Sequence, residues 1–177
     1  EDVEKLFNTN FFGPLEMIKK VLPIMRKNNG GLIINITSIA GYFGLPFRGI
    51  YSASKSALEI VTESLRMEVR NFNIKITNIA PGVFKTDIVN RRIDSFNDKK
   101  SLYFSDYYRL WKNNNEHIEK SGSNPKMIAL LVNKIINTKN PKIHYVVGNR
   151  FQKFSIILKR LLPDLIFEKI LTKYYKL

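Results

Sequence analysis

The chain has 177 residues, no cysteine and a net charge of +14 at pH 7. That length suits one domain with a sizeable core; the missing cysteines exclude disulfides, thiolate metal sites and a thiol nucleophile, and no apolar run reaches the roughly 18 residues of a membrane span. His117 and His144 lie far apart with no carboxylate cluster between them in sequence, so no metal is expected, because a metal site needs three or four converging ligands.

The chain opens with Glu1-Asp2-Val3 and not with a basic, then apolar, secretory segment. A cytoplasmic protein is expected. The opening also lacks Met and runs almost at once into a helical pattern, so a fragment of a longer chain is expected. A basic surface attracts phosphate-rich partners or anionic lipid. Here, however, Lys and Arg are spread along a chain also rich in Asn and Ile, and skewed composition explains the charge without such a partner. Nucleic acid is not expected as a partner.

Taken in order, residues 4 to 27 read as a helix. Leu6, Phe7, Phe11, Leu15, Ile18, Val21, Leu22 and Met25 recur near the helical period, and Asn28-Asn29-Gly30-Gly31 stops them. LIINIT, residues 32 to 37, is short, apolar and β-branched, as suits a strand covered on both faces. A second long helix is predicted over 50 to 71 and a strand, IKITNIA, over 74 to 80 before Pro81-Gly82. Residues 83 to 124 read as irregular and aromatic. A third helix is predicted over 125 to 137, a third strand, IHYVV, over 143 to 147, and a basic amphipathic helical tail over 149 to 177, broken near Pro163. Alternating helices and strands are the rhythm of parallel β-α-β units. A three-stranded sheet would leave LIINIT at an edge, which strengthens the expectation of a fragment.

The residues with chemistry lie between the first strand and the second helix. Ser38 follows the strand, where an open parallel sheet binds its ligands. Tyr51 and Lys55 are four apart on one helix face. A phenol alone is a poor base near neutrality, but an ammonium about 4 Å from a phenolate is worth about 4 kcal/mol at an effective dielectric near 20. That makes the ring oxygen a useful proton-transfer group. With Ser38 donating to the substrate oxygen, the set suits interconversion of an alcohol and a carbonyl. Asn10 adds a second argument. Pro14 has no N–H, so the Asn10 carbonyl loses its usual helical partner and seeks water. A proton relay needs such a water; a simple kink at Gly13-Pro14, with Asn10 incidental, is the plainer alternative.

Asn10-Phe11-Phe12-Gly13, ITSIAG, YSASKSALE and IAPGVFKT, in that order from about residue 4 to 148, resemble successive motifs of the short-chain dehydrogenase/reductase family. The resemblance implies an α/β, partial Rossmann-like doubly wound parallel sheet and an oxidoreductase using NAD or NADP. It implies Tyr51 as catalytic acid/base and Lys55 as the residue that tunes the tyrosine and bonds the nicotinamide ribose. It further implies Ser38 as the substrate-positioning serine and Asn10, 28 residues before it, as the holder of the relay water. Pro81 and Gly82 match the turn beside the nicotinamide; Phe84 and Thr86 fall where its carboxamide is contacted.

The family's glycine-rich turn, T-G-x-x-x-G-x-G, and its N-N-A-G segment have no counterpart here. The expectation is therefore the last three strands and their helices, one catalytic domain over 1–177, with roughly a hundred further residues ahead of it and no tight cofactor binding by this chain alone. Residues 83–124 would be the substrate lid. Its aromatics, with Tyr42, Phe43, Leu45 and Phe47, suit either a pocket for a lipophilic alcohol or ketone, as in steroid- and retinoid-active members of the family, or simple packing. The 149–177 tail suits core packing, a homo-oligomer contact or peripheral attachment to a membrane. The competing class is a non-catalytic module that uses its basic surface for anionic lipid or nucleic acid.

Overall fold

The structure is a computed structural model that describes residues 2–87 and 99–177. It comprises two compact units, taken here in turn.

The first unit, Glu1–Gly82 with Lys126–Val147, is built on a three-stranded parallel sheet in the order β1-β2-β3, formed by Gly31–Ile36, Ile74–Pro81 and His144–Val147. Gly31 pairs with Ile74 and Ile36 with Ile79; Asn78 pairs with His144 and Pro81 with Val147. The middle strand is the most apolar in surroundings. Ile76, Thr77, Asn78, Ile79 and Ala80 are fully buried, as expected of a parallel strand covered by helices. Among the described residues β1 pairs on one side only, and Ile36 is 46% exposed, so LIINIT occupies the edge its composition argued against.

The opening helix is not continuous. It runs as α1 (Asp2–Phe7), a π-helical turn (Asn8–Phe12) and α2 (Gly13–Lys27). The cause is Pro14, which cannot donate; the ladder slips a residue there, and the Gly13 N–H reaches back to Asn8 O. The second helix of the sequence reading is α3, Gly49–Glu68, closed by a 3-10 turn at Arg70–Phe72. Leu22 and Met25 of α2, Leu65 of α3 and Phe72 pack on Val69, Ile74 and Ile76. That cluster welds both helices to the sheet. A further helix of this unit, α5, spans Lys126–Ile136 and buries Ile135 completely.

The second unit, Val83–Pro125 with Gly148–Leu177, corrects the reading of 83–124 as irregular. Residues Phe104–Ser121 form helix α4, with Phe104, Tyr108 and Trp111 stacked at 5.9 Å steps and Ile118 buried. The modest helix propensity of Asn113–Asn115 and of its aromatic residues masked its periodicity; residues 88–98 of that segment lie outside the described residues. The tail forms two helices, α6 (Arg150–Leu161) and α7 (Asp164–Tyr175), broken at Pro163 as expected. Asn149 and Gln152 make a reciprocal capping box at the start of α6. Arg109 ties α4 to the end of α7 by donating to the carbonyls of Tyr175 and Lys176 at 3.2 and 3.0 Å. Among the described residues no helix is long and apolar enough to cross a membrane.

Candidate active site

Ser38 ends β1's run and caps the 3-10 turn Ile39–Gly41. Its Oγ accepts the Ala40 N–H at 3.2 Å, which fixes the hydroxyl at the carboxyl end of the sheet. The turn lies tight on α3. A Cβ on Gly41 would stand 3.1 Å from the carbonyl carbon of Lys55 and 3.2 Å from the Ser56 nitrogen, so only glycine lets the two backbones approach this closely.

Tyr51 sits half-buried in the first turns of α3, with the Arg48 guanidinium 4.9 Å from its ring centroid. Lys55 is one helical turn on. Its Nζ donates to the carbonyl of Ile36 at 3.1 Å, two residues before Ser38. The ammonium is thus pinned where β1 ends. Burial pushes the Lys55 ammonium below the usual lysine range, and the charge of Glu59 opposes that shift.

Asn10, on the π-helical turn, donates from Nδ2 to Ser54 Oγ at 3.1 Å, and the Ser54 hydroxyl donates to the Tyr51 carbonyl at 2.8 Å. Ser54 is fully buried. It is a link the sequence reading missed, although its place between Tyr51 and Lys55 offered the signal. Pro81 closes β2, and the Gly82 N–H donates to Val147 O at 2.7 Å, which holds the Pro-Gly turn on β3. Phe84 and Thr86 belong to the second unit, where Phe84 is buried and bridges Ser123, and Thr86 is exposed. The structure therefore brings Asn10, Ser38, Tyr51, Lys55, Pro81 and Gly82 into one compact unit; Phe84 and Thr86 are described apart from it.

Among the described residues, the Tyr51 hydroxyl, the Ser38 hydroxyl proton and two of the three Lys55 donors have no protein partner. A phenol, an alcohol and an ammonium with unspent hydrogen-bonding capacity suit a polar ligand rather than packing. Tyr42 and Phe43 line a hollow of about 320 Å³ with Ser52 and Ser56. None of Ser38, Tyr51 or Lys55 lines it, so it is not assigned to the substrate.

Comparisons with known proteins bear on the family and the fold. A family profile described as short chain dehydrogenase matches residues 1–95. Over 176 residues the chain is 39% identical to a 3-ketodihydrosphingosine reductase of Bacteroides thetaiotaomicron, covering 99% of this chain and 65% of that protein. Over 170 residues it is 30% identical to retinol dehydrogenase 8 of Bos taurus, covering 92% and 54%. A solved short-chain dehydrogenase from Streptomyces avermitilis superposes with a TM-score of 0.73 at 25% identity, covering 98% of this chain and 61% of that one. The chain belongs to the short-chain dehydrogenase family. It spans less than two thirds of the length of these curated relatives.

Proposed function

We propose that the protein interconverts a carbonyl and an alcohol on a lipophilic, long-chain substrate, with NAD or NADP as hydride carrier. The observation that carries this reading is the anchoring of the Lys55 ammonium on Ile36 O, two residues from Ser38 and one turn from Tyr51. No protein side chain accepts a hydride, so this chemistry requires a bound carrier, and a nicotinamide dinucleotide supplies a hydride to the carbonyl carbon. The unspent Lys55 donors suit ribose hydroxyls, and Pro81-Gly82 is the proposed contact of the nicotinamide end.

In the reducing direction Ser38 donates its proton in a hydrogen bond to the substrate carbonyl oxygen and holds it against the phenol. Tyr51 transfers its hydroxyl proton to that oxygen, which yields the alcohol. Lys55 stabilises the phenolate left behind. Asn10 keeps the start of α3 in place through Ser54 and holds the water that returns the proton to Tyr51. The reverse direction uses the same groups with the phenolate as base.

The similarity to a 3-ketodihydrosphingosine reductase supports a long-chain amino ketone as substrate, and the similarity to a retinol dehydrogenase supports an apolar body beside the reacting group. Full-length protein is tested with 3-ketodihydrosphingosine, all-trans-retinal and a short water-soluble ketone while nicotinamide absorbance is followed. A preference of tenfold or more in kcat/KM for the long-chain ketones supports the reading. Equal turnover of the short ketone removes the lipophilic assignment, and absence of turnover with all three removes the reaction.

A further inference from the structure

Helix α3 carries Tyr51, Lys55, Glu59 and Glu63 at successive four-residue steps, which is one face of the helix. The first two belong to the candidate site. Glu59 lies beneath them, 5% exposed, where an unpartnered carboxylate would be severely destabilising. It is fully engaged instead. The Thr37 hydroxyl donates to Glu59 Oε1, and the Asn78 amide donates to Oε2 at 2.9 Å. His144 Nδ1 stands 2.8 Å from the same Oε2, at ion-pair distance though outside hydrogen-bond angles. One carboxylate thus joins the residue before Ser38, the middle strand and the third strand.

The other face of the imidazole is closed in the same way, since Nε2 lies 2.9 Å from Glu63 Oε1. Both ring nitrogens face carboxylate oxygens, and only the imidazolium presents a proton and a positive charge to both. The carboxylates approach opposite nitrogens rather than one point, which is not how metal ligands converge. Among the described residues, the Asn78 amide from β2 and the Tyr42 ring, edge-on at 6.1 Å from the loop after β1, also lie at this cluster, and α3 carries two cations besides, Lys55 and Arg66. The Arg66 guanidinium is spent on the carbonyls of Ile76 and Pro141.

We propose that Glu59 is a positioning residue for the site: its buried carboxylate clamps β1, β2 and β3 together and serves as counter-charge to the Lys55 ammonium, while His144, backed by Glu63, competes for that same charge. This rests on the reading of Lys55 given above. Two directions accord with it. Glu59 opposes the loss of the Lys55 proton that burial favours, and the Glu59 carboxylate beside the ring holds the His144 proton above the usual histidine range. With all four groups ionised, Lys55, Glu59, His144 and Glu63 sum to zero charge.

Removing the carboxylate and removing its competing partner have opposite consequences for Lys55, which a purely structural role does not produce. In Glu59→Gln the Lys55 ammonium loses its counter-charge, so the alkaline limb of the kcat/KM profile moves to lower pH and activity at the alkaline end falls about tenfold relative to its plateau. In His144→Gln the Glu59 charge faces Lys55 alone, so the limb moves to higher pH. The test pairs these profiles with NMR titrations of full-length protein carrying ¹³C-labelled histidine and lysine. Only two histidines are present, so His144→Gln assigns the resonance, and Lys55→Arg assigns the lysine.

Lowered titration of both His144 and Lys55 in Glu59→Gln supports the proposal whether or not turnover is seen. Should Glu59→Gln not fold, Glu63→Gln, at a half-exposed position, takes its place; it is expected to lower the His144 titration and raise that of Lys55. Unchanged Lys55 titration in every folded variant overturns the proposal, even in an active enzyme. Absence of turnover in the native protein with the titration shifts intact overturns the oxidoreductase reading alone.

Discussion

The side-chain amide of Asn10 donates to the hydroxyl of Ser54 across 44 residues of chain, and that hydroxyl donates in turn to the Tyr51 carbonyl. Asn10 makes this bond from within the π-helical turn Asn8–Phe12.

Asn10→Ala removes this tether and leaves Ser54 with one partner. A hydrogen bond of this kind is worth about 1 kcal/mol. We therefore expect kcat to fall about fivefold, with cofactor affinity nearly unchanged. Steady-state kinetics beside calorimetric cofactor binding decide it; a loss of affinity at constant kcat would place Asn10 in binding and not in proton transfer.

Gly41→Ala sets a methyl group 3.1 Å from the backbone of Lys55, with no flexible side chain to yield. The 3-10 turn must retreat from α3 and carry Ser38 with it. A stability loss of about 1–3 kcal/mol is expected, together with a rise in KM. Urea denaturation and substrate saturation curves measure the two; unchanged values in both would mean that the turn is not packed on α3 as described.

Stability should depend on pH through His144. Its proton is held more tightly in the folded state than in the unfolded chain, chiefly by Glu59. The folded state therefore binds more protons over that window. The contribution is complete below the unfolded value of 6.5 and is lost as pH rises through the higher folded value. Urea midpoints across this range should fall with pH in the native chain and flatten in His144→Gln. A midpoint rising with pH would reverse the sign of the coupling.

The elements of the first unit were legible because their signals are local. LIINIT and IKITNIA are apolar and β-branched, and the observed strands Gly31–Ile36 and Ile74–Pro81 differ from the predicted ones by a residue. Ser38, Tyr51 and Lys55 could be named for the same reason, since strand end and helical spacing are properties of a short stretch. What escaped was non-local or locally weak. Helix α4 is rich in Asn and aromatic residues, whose propensity is modest, so its stacked Phe104, Tyr108 and Trp111 read as loop. The π-helical turn required Pro14 to be read as a register slip rather than a kink. His144 was set aside for want of nearby carboxylates, yet the crossover from β1 through α3 places Glu59 and Glu63 on its two ring nitrogens, 81 residues away in the case of Glu63.

Ile76 offers a control on the core independent of chemistry. It is completely buried and packs with Val69, Ile74 and the helices. Ile76→Ala should cost about 2–5 kcal/mol, read as a lowered denaturation midpoint. A cost below 1 kcal/mol would show that the α2–α3 cluster does not carry the sheet.

The central claim is that the Tyr51 hydroxyl supplies the proton in a carbonyl–alcohol interconversion at the end of β1. Its most direct test is single-turnover reduction of 3-ketodihydrosphingosine by full-length native protein and Tyr51→Phe, with the bound cofactor's fluorescence recorded in both. The account predicts that Tyr51→Phe binds cofactor as the native protein does and reacts about 10²–10⁴-fold more slowly. Equal rates in the two proteins would contradict it.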